Sequence, residues 1–191
     1  MITKILNVIT LSRILCAILI YLILYLENNY SIALFLYLES NYSIALFLFF
    51  IASFSDFLDG YLARKTNSVS VLGEILDPIA DKLLIVFVLI GLSINLDSFL
   101  IGFISAAIIS REIWVAALRD INSRNNQSEK TRVTFLAKAK TAIQMLSILM
   151  YLFGLTINNM IVLFFADIIL IIALLVTIQT GFQYTISTFK K

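Results

Sequence analysis

Residues 55–82 read SDFLDGYLARKTNSVSVLGEILDPIADK and carry four aspartates, Asp56, Asp59, Asp77 and Asp81. On a helix, residues three and four apart share a face. Asp56, Asp59, Gly60, Ala63 and Arg64 are spaced i, i+3, i+4, i+7, i+8 and so form one stripe. After the short polar turn KTNSVS, Gly73, Asp77 and Asp81 recur at i, i+4, i+8 on a second helix. Antiparallel helices joined by so short a turn pack together, so the stripes can face each other and bring the carboxylates into one pocket.

The surroundings decide what kind of pocket this is. The chain has 191 residues, 61% of them hydrophobic, with one Pro and no His. A soluble domain of that size has nowhere to hide so much apolar surface. Apolar runs near the roughly 20 residues needed to cross a bilayer lie at about 11–26, 41–63, 75–96, 98–118, 134–157 and 160–187. The expected fold is therefore all-α and integral to the membrane, a single domain over 1–191 with six transmembrane helices. The first run follows Lys4 and Arg13 as a signal peptide would, but no small-residue cleavage site follows it, and we read it as a retained helix. Cys16 is preceded by Leu15 rather than a small residue, which argues against lipoprotein processing, and as the one Cys it can form no internal disulfide.

A net charge of +2 says little, but its distribution is informative. With six spans, the Lys and Arg residues fall on one side or close to it, while the other connections carry only Glu27, Glu39 and Asp97. By the positive-inside rule, both termini and the 64–72 and 119–133 connections are expected in the cytoplasm. Away from that side, YLENNYSIALFL at 25–36 is followed by YLESNYSIALFL at 37–48, a tandem copy with one substitution. Two copies of 12 residues are too few and too short for a solenoid. The copy lengthens either the outer connection between helices 1 and 2 or helix 2 itself.

Four carboxylates that close cannot all stay ionised unless something positive sits among them, and burying them unpaired near lipid is costly. No His is present, Lys82 points off the 73/77/81 stripe, and Arg64 is a single charge. A hard divalent cation with oxygen ligands answers this, and two would suit four carboxylates. Two-metal sites of that kind act on phosphoryl oxygens. Gly60, Ala63 and Gly73 remove side-chain bulk from the same stripe, either for a ligand's approach or as helix-packing notches.

Asp56, Asp59, Gly60, Ala63, Arg64, Gly73, Asp77 and Asp81 match D-x2-D-G-x2-A-R-x8-G-x3-D-x3-D, which resembles the motif of the CDP-alcohol phosphatidyltransferases. The resemblance implies six transmembrane helices around a cytoplasm-facing polar cavity, usually in a homodimer. It implies that Asp56, Asp59, Asp77 and Asp81 hold two divalent ions, Mg²⁺ or Mn²⁺, with Asp81 also the base for the acceptor hydroxyl. Gly60, Ala63 and Gly73 would let the cytidine part of CDP-diacylglycerol settle against helices 2 and 3, and Arg64 would pair with its pyrophosphate. The acceptor oxygen would then attack the phosphorus bearing the lipid, and CMP would leave.

Further stretches, NVITLSR at 7–13, GEILDPIADKLL at 73–84, SREIWVAALRD at 110–120 and AKAKTAIQM at 137–145, resemble the branch that forms phosphatidylglycerophosphate from glycerol 3-phosphate. Asp120 departs from that branch, where a Glu-Trp pair usually follows the Arg. A phosphorylated acceptor needs cations beyond the metals, and Arg111, Arg119, Lys138 and Lys140 at the cytoplasmic ends of helices 4 and 5 could supply them. Alternatively, these residues only set topology and attract anionic headgroups. Asn7, Thr10 and Arg13 recur at i, i+3, i+6 and either border the nucleotide pocket or anchor helix 1 at the interface.

Asp167, mid-span in helix 6, is expected to make a local hydrogen bond or face outward. The competing functions are the same chemistry with phosphatidylglycerol, serine or inositol as acceptor, and divalent-cation transport. The almost wholly apolar outer halves of helices 2 and 3 argue for a cavity closed at one end, and so against transport. The expected partners are the lipid bilayer of a bacterial inner membrane, the two substrates and a second copy of the chain, with no nucleic acid.

Overall fold

The computed structural model describes residues 2–28, 41–66, 71–127, 129 and 135–190; of the side chains of 2–7, 28, 56–66, 71–75, 135 and 138 nothing is described. Among these residues the chain forms six α-helices, α1 (Ile2–Asn28), α2 (Tyr42–Thr66), α3 (Val71–Asn95), α4 (Phe99–Arg124), α5 (Phe135–Thr156) and α6 (Met160–Phe189). The helices begin and end within a few residues of the apolar runs, except where polar sequence continues a helix. α1 extends back to Ile2 and α4 runs on to Arg124, because hydropathy marks the part of a helix that faces lipid and not where its hydrogen bonding stops. Residues 29–40, half of the tandem duplication, lie outside the described residues.

Four of the helices are long and apolar enough to cross a membrane, over Val8–Glu27, Phe99–Arg124, Ala139–Thr156 and Met160–Phe189, and the apolar stretch Tyr42–Ser55 of α2 is shorter. The packing is that of a membrane protein. Large apolar side chains cover the outside, with Phe99 87%, Met160 78% and Phe182 65% exposed, a surface that suits lipid and not water. Inside, Ile20, Leu24, Phe49, Leu84, Leu92 and Ile148 form one buried core. α3 packs most extensively on α1, α5 on α6, and α4 on α6.

Polar side chains hold the helices together where apolar burial cannot drive association within a membrane. Asn95 Nδ2 donates to the Leu24 carbonyl at 3.0 Å, Ser147 Oγ to the Ala166 carbonyl at 3.1 Å, and Asn122 Nδ2 to Thr188 Oγ1 at 2.9 Å. Tyr151 Oη donates to Asp167 Oδ1, the local hydrogen bond expected of that mid-span acid.

The tight turns from α3 to α4 and from α5 to α6 share one design. The Ser98 N–H bonds to the Ser93 carbonyl at 3.0 Å and the Asp97 N–H to that of Ile94 at 3.3 Å, with Asp97 at φ 47°. The Asn159 N–H bonds to the Gly154 carbonyl at 2.9 Å and the Asn158 N–H to that of Leu155 at 3.2 Å, with Asn158 at φ 49°. Both are Schellman closures, in which the left-handed position falls to Asp or Asn. The next residue then caps the following helix: Ser98 Oγ accepts from the Ile101 N–H, and Asn159 Oδ1 from the N–H groups of Ile161 and Val162.

Candidate active site

Asp77 and Asp81 stand one turn apart on α3, and a cation from another helix sits between them. Arg13 of α1 is 1% exposed; its Nη1 donates to Asp81 Oδ1 at 2.6 Å and its Nη2 to Asp77 Oδ1 at 3.2 Å. Thr10, one turn earlier, donates from Oγ1 to Asp77 Oδ1 at 2.7 Å. The i, i+3 spacing of Thr10 and Arg13 thus matches the i, i+4 spacing of Asp77 and Asp81 along two parallel, closely packed helices. Close packing is secured at Gly91, where a Cβ would come within 3.0 Å of Leu24 Cδ1 and 3.5 Å of Tyr21 Cα.

Asp77 and Asp81 line a cavity of about 740 Å³ between α3, α4 and α5. Its other charged residues are Lys82, Arg111, Glu112, Arg119 and Lys140, set among apolar side chains such as Ile85, Ile108 and Met145. Glu112 is central to them. Its Oε1 accepts from Lys140 Nζ and, at 2.8 Å, from Arg111 Nη1, and its Oε2 lies 3.6 Å from Lys82 Nζ.

The two arginines of α4 are held differently. Arg111 is anchored to α6, donating from Nε to the Thr177 carbonyl at 3.2 Å and from Nη2 to Thr180 Oγ1 at 2.8 Å. Gly181 makes room for it, since a Cβ there would come within 3.0 Å of Arg111 Cγ. Both guanidinium groups lie over the Tyr184 ring, 5.8 Å from its centre for Arg111 and 5.5 Å for Arg119, but no described protein group takes a hydrogen bond from Arg119. Its donors are available to a ligand, whereas those of Arg111 are largely committed.

The sequence-expected residues therefore divide into three groups. Asp77, Asp81, Arg111, Arg119 and Lys140 share one cavity. Asp56, Asp59, Gly60, Ala63 and Arg64 lie on α2, Gly73 on α3 and Lys138 on α5, but their side chains and surroundings are outside the described set. Arg13 and Thr10 were expected to border a pocket or anchor a helix, and they are bonded directly to the motif's carboxylates. Glu112, Lys82 and Gly181 had no assigned role; only the placing of Glu112 directly after Arg111 hinted at one.

Asp77 and Asp81 are hard oxygen donors with 46% and 28% of their side chains exposed, a donor set that fits a hard divalent cation. Among the described residues no group of three or more His, Cys, Asp or Glu has metal-holding geometry, and Asp56 and Asp59 fall outside that set.

A family model described as CDP-alcohol phosphatidyltransferase matches residues 4–179. Among curated relatives, a protein of Rickettsia bellii (strain RML369-C) named CDP-diacylglycerol--glycerol-3-phosphate 3-phosphatidyltransferase is 42% identical over 135 residues, covering 70% of this chain and 72% of its own length. The proteins of that name from Rickettsia felis (strain ATCC VR-1525 / URRWXCal2) and Rickettsia typhi (strain ATCC VR-144 / Wilmington) are each 36% identical over 181 residues; the alignments cover 93% of this chain, and 91% and 93% of theirs.

Proposed function

We propose, because this chain belongs to the CDP-alcohol phosphatidyltransferase family, that it transfers the phosphatidyl group of CDP-diacylglycerol to glycerol 3-phosphate, giving phosphatidylglycerophosphate and CMP. The observation that carries the reading is that one cavity is lined by two motif carboxylates, Asp77 and Asp81, and by Arg111, Arg119 and Lys140. A pyrophosphate held at the carboxylate wall and a phosphorylated alcohol held at the basic wall would share that space. Inositol would leave the basic wall without an anion to bind, and serine would bring one carboxylate balanced by its own ammonium in place of a phosphate.

The family is generally dependent on divalent metals. In our reading Asp77 and Asp81 hold Mg²⁺ or Mn²⁺ together with Asp56 and Asp59, as two ions that neutralise charge on the pyrophosphate when bound. Gly60, Ala63 and Gly73 admit the cytidine part of the donor, and Arg64 pairs with its phosphates. Arg13 and Thr10 orient Asp77 and Asp81. Arg119, Lys138 and Lys140 bind the acceptor's phosphate, with Arg111 fixing the wall behind them, so that its free hydroxyl approaches the phosphorus bearing the diacylglycerol. Asp81 takes the hydroxyl proton, the new P–O bond forms, the bond to the CMP oxygen breaks, and CMP departs with the electron pair. The protein lies in a bacterial inner membrane with the cavity opening to the cytoplasm, where both water-soluble reactants are found.

The test is CMP release by the purified protein in detergent with CDP-diacylglycerol and Mg²⁺, across glycerol 3-phosphate, phosphatidylglycerol, serine and inositol, with and without EDTA. Release with glycerol 3-phosphate alone, abolished by EDTA, is the expected result. Release with another alcohol would retain the reaction and overturn the acceptor. The variant Asp81→Asn is expected to lower turnover by about 100-fold or more, the scale of a lost general base, while eluting as a folded protein; undiminished turnover removes Asp81 from the mechanism.

A further inference from the structure

Glu112 poses an electrostatic problem. A carboxylate lining a cavity that receives a phosphorylated acceptor repels its ligand, yet this one stands at the centre of the basic wall. Its three cationic neighbours come from three helices, Lys82 from α3, Arg111 from α4 and Lys140 from α5.

Lys140 shows what the carboxylate contributes. It is 6% exposed, and among the described residues Glu112 is its one hydrogen-bond partner. An ammonium on a flexible four-carbon stem has no fixed direction of its own, and burying it without a partner is costly. The Glu112 bond answers both difficulties. The same Oε1 takes Arg111 Nη1, whose guanidinium is already braced on Thr177 and Thr180. Lys140 is thereby referred to a fixed point on the α4–α6 pair.

We propose that Glu112 is a positioning residue for the acceptor-phosphate site: it locks Lys140 against the braced Arg111 so that the Lys140 ammonium meets the phosphate in one arrangement. The inference rests on the acceptor reading above and specifies how the basic wall is built. It makes a prediction opposite in sign to simple charge counting, which says that neutralising Glu112 should tighten the binding of an anion.

The experiment is steady-state kinetics in detergent, with thermal unfolding to confirm folding. Glu112→Gln is expected to raise the KM for glycerol 3-phosphate by roughly tenfold, the scale of one charged hydrogen bond, with kcat and the KM for CDP-diacylglycerol little changed. Glu112→Asp, which keeps the charge, should recover part of the loss. A KM for glycerol 3-phosphate that falls, or KM values that rise equally for both substrates, would overturn the proposal. Lys140→Met supplies a second arm, needed if Glu112→Gln alone does not fold. The pair Glu112→Gln/Lys140→Met should be no worse than Lys140→Met, since both changes remove the same arrangement, whereas multiplicative effects would show independent roles and overturn it. Failure of the underlying reading looks different: the unaltered protein would release no CMP with glycerol 3-phosphate, or Lys140→Met would leave that KM unmoved, and the inference would fall with it.

Discussion

A guanidinium buried among lipid-facing helices is stable only with its charge answered, and Arg13 answers two carboxylates at once. Removing one partner of such a group is costly because the others are left uncompensated. Arg13→Gln is therefore expected to lower stability by about 3 kcal/mol, near the bottom of the range for buried pairs because Asp77 and Asp81 are partly exposed, and a thermal unfolding midpoint equal to that of the unaltered protein would show the contact to be incidental. The two α4 arginines should separate in kinetics. Arg119→Ala removes a guanidinium whose only described contact is an aromatic ring, so it should raise the KM for glycerol 3-phosphate, more than that for CDP-diacylglycerol, without loss of stability. Arg111→Ala breaks bonds to α6 and should lower the unfolding midpoint as well; identical behaviour of the two variants would contradict this division. Asp77 and Asp81 were legible in the sequence because their spacing lies within one helix. The role of Arg13 was not, because its partners are 64 and 68 residues away and helical periodicity carries no information across that distance. Glu112 was hidden for the same reason, since its partners arrive from α3 and α5.

The helix ends opposite the site are built from local sequence, and there the chain can be read residue by residue. In SINLDSF and GLTINNMI, one residue takes the left-handed position and the very next caps the helix that follows. Asn159 satisfies two otherwise unpaired N–H groups of α6, so Asn159→Ala should cost about 1 kcal/mol, as cap removals do, measured as a lower unfolding midpoint with catalysis unaffected. A matching loss of activity at the unfolding-independent level would mean that these turns communicate with the site. What hydropathy could not supply was the length of helix beyond the apolar run. α4 continues through Arg119 and Asp120 to Arg124, because a helix leaving the membrane keeps its backbone hydrogen bonds while its side chains turn polar. Arg119 stands where the polar extension begins, over Tyr184 of α6.

At the scale of the molecule, the helix count and the charge distribution together define a topology. Parallel pairing of α1 with α3 and of α4 with α6 gathers Arg13, Asp77, Asp81, Arg111 and Lys140 toward one end of the bundle, and the turns at Asp97 and Asn158 lie at the other. We predict that all six helices cross, which would bring both termini to the end that carries the basic residues, the end that the positive-inside rule assigns to the cytoplasm. The apolar exterior was legible from composition alone, whereas the cavity was not, because it depends on which helices touch. The topology can be tested with single cysteines in a Cys16→Ser background, using a membrane-impermeant maleimide on oriented vesicles. Asp97→Cys lies in the exposed α3–α4 turn and Asn125→Cys just beyond α4. In right-side-out vesicles Asp97→Cys should label and Asn125→Cys should not; in inside-out vesicles the pattern should reverse. Labelling of both from one side would require α4 to stop short of crossing and would overturn the topology; were that the outer side, the basic wall would face a compartment without glycerol 3-phosphate, and the acceptor assignment would fall as well.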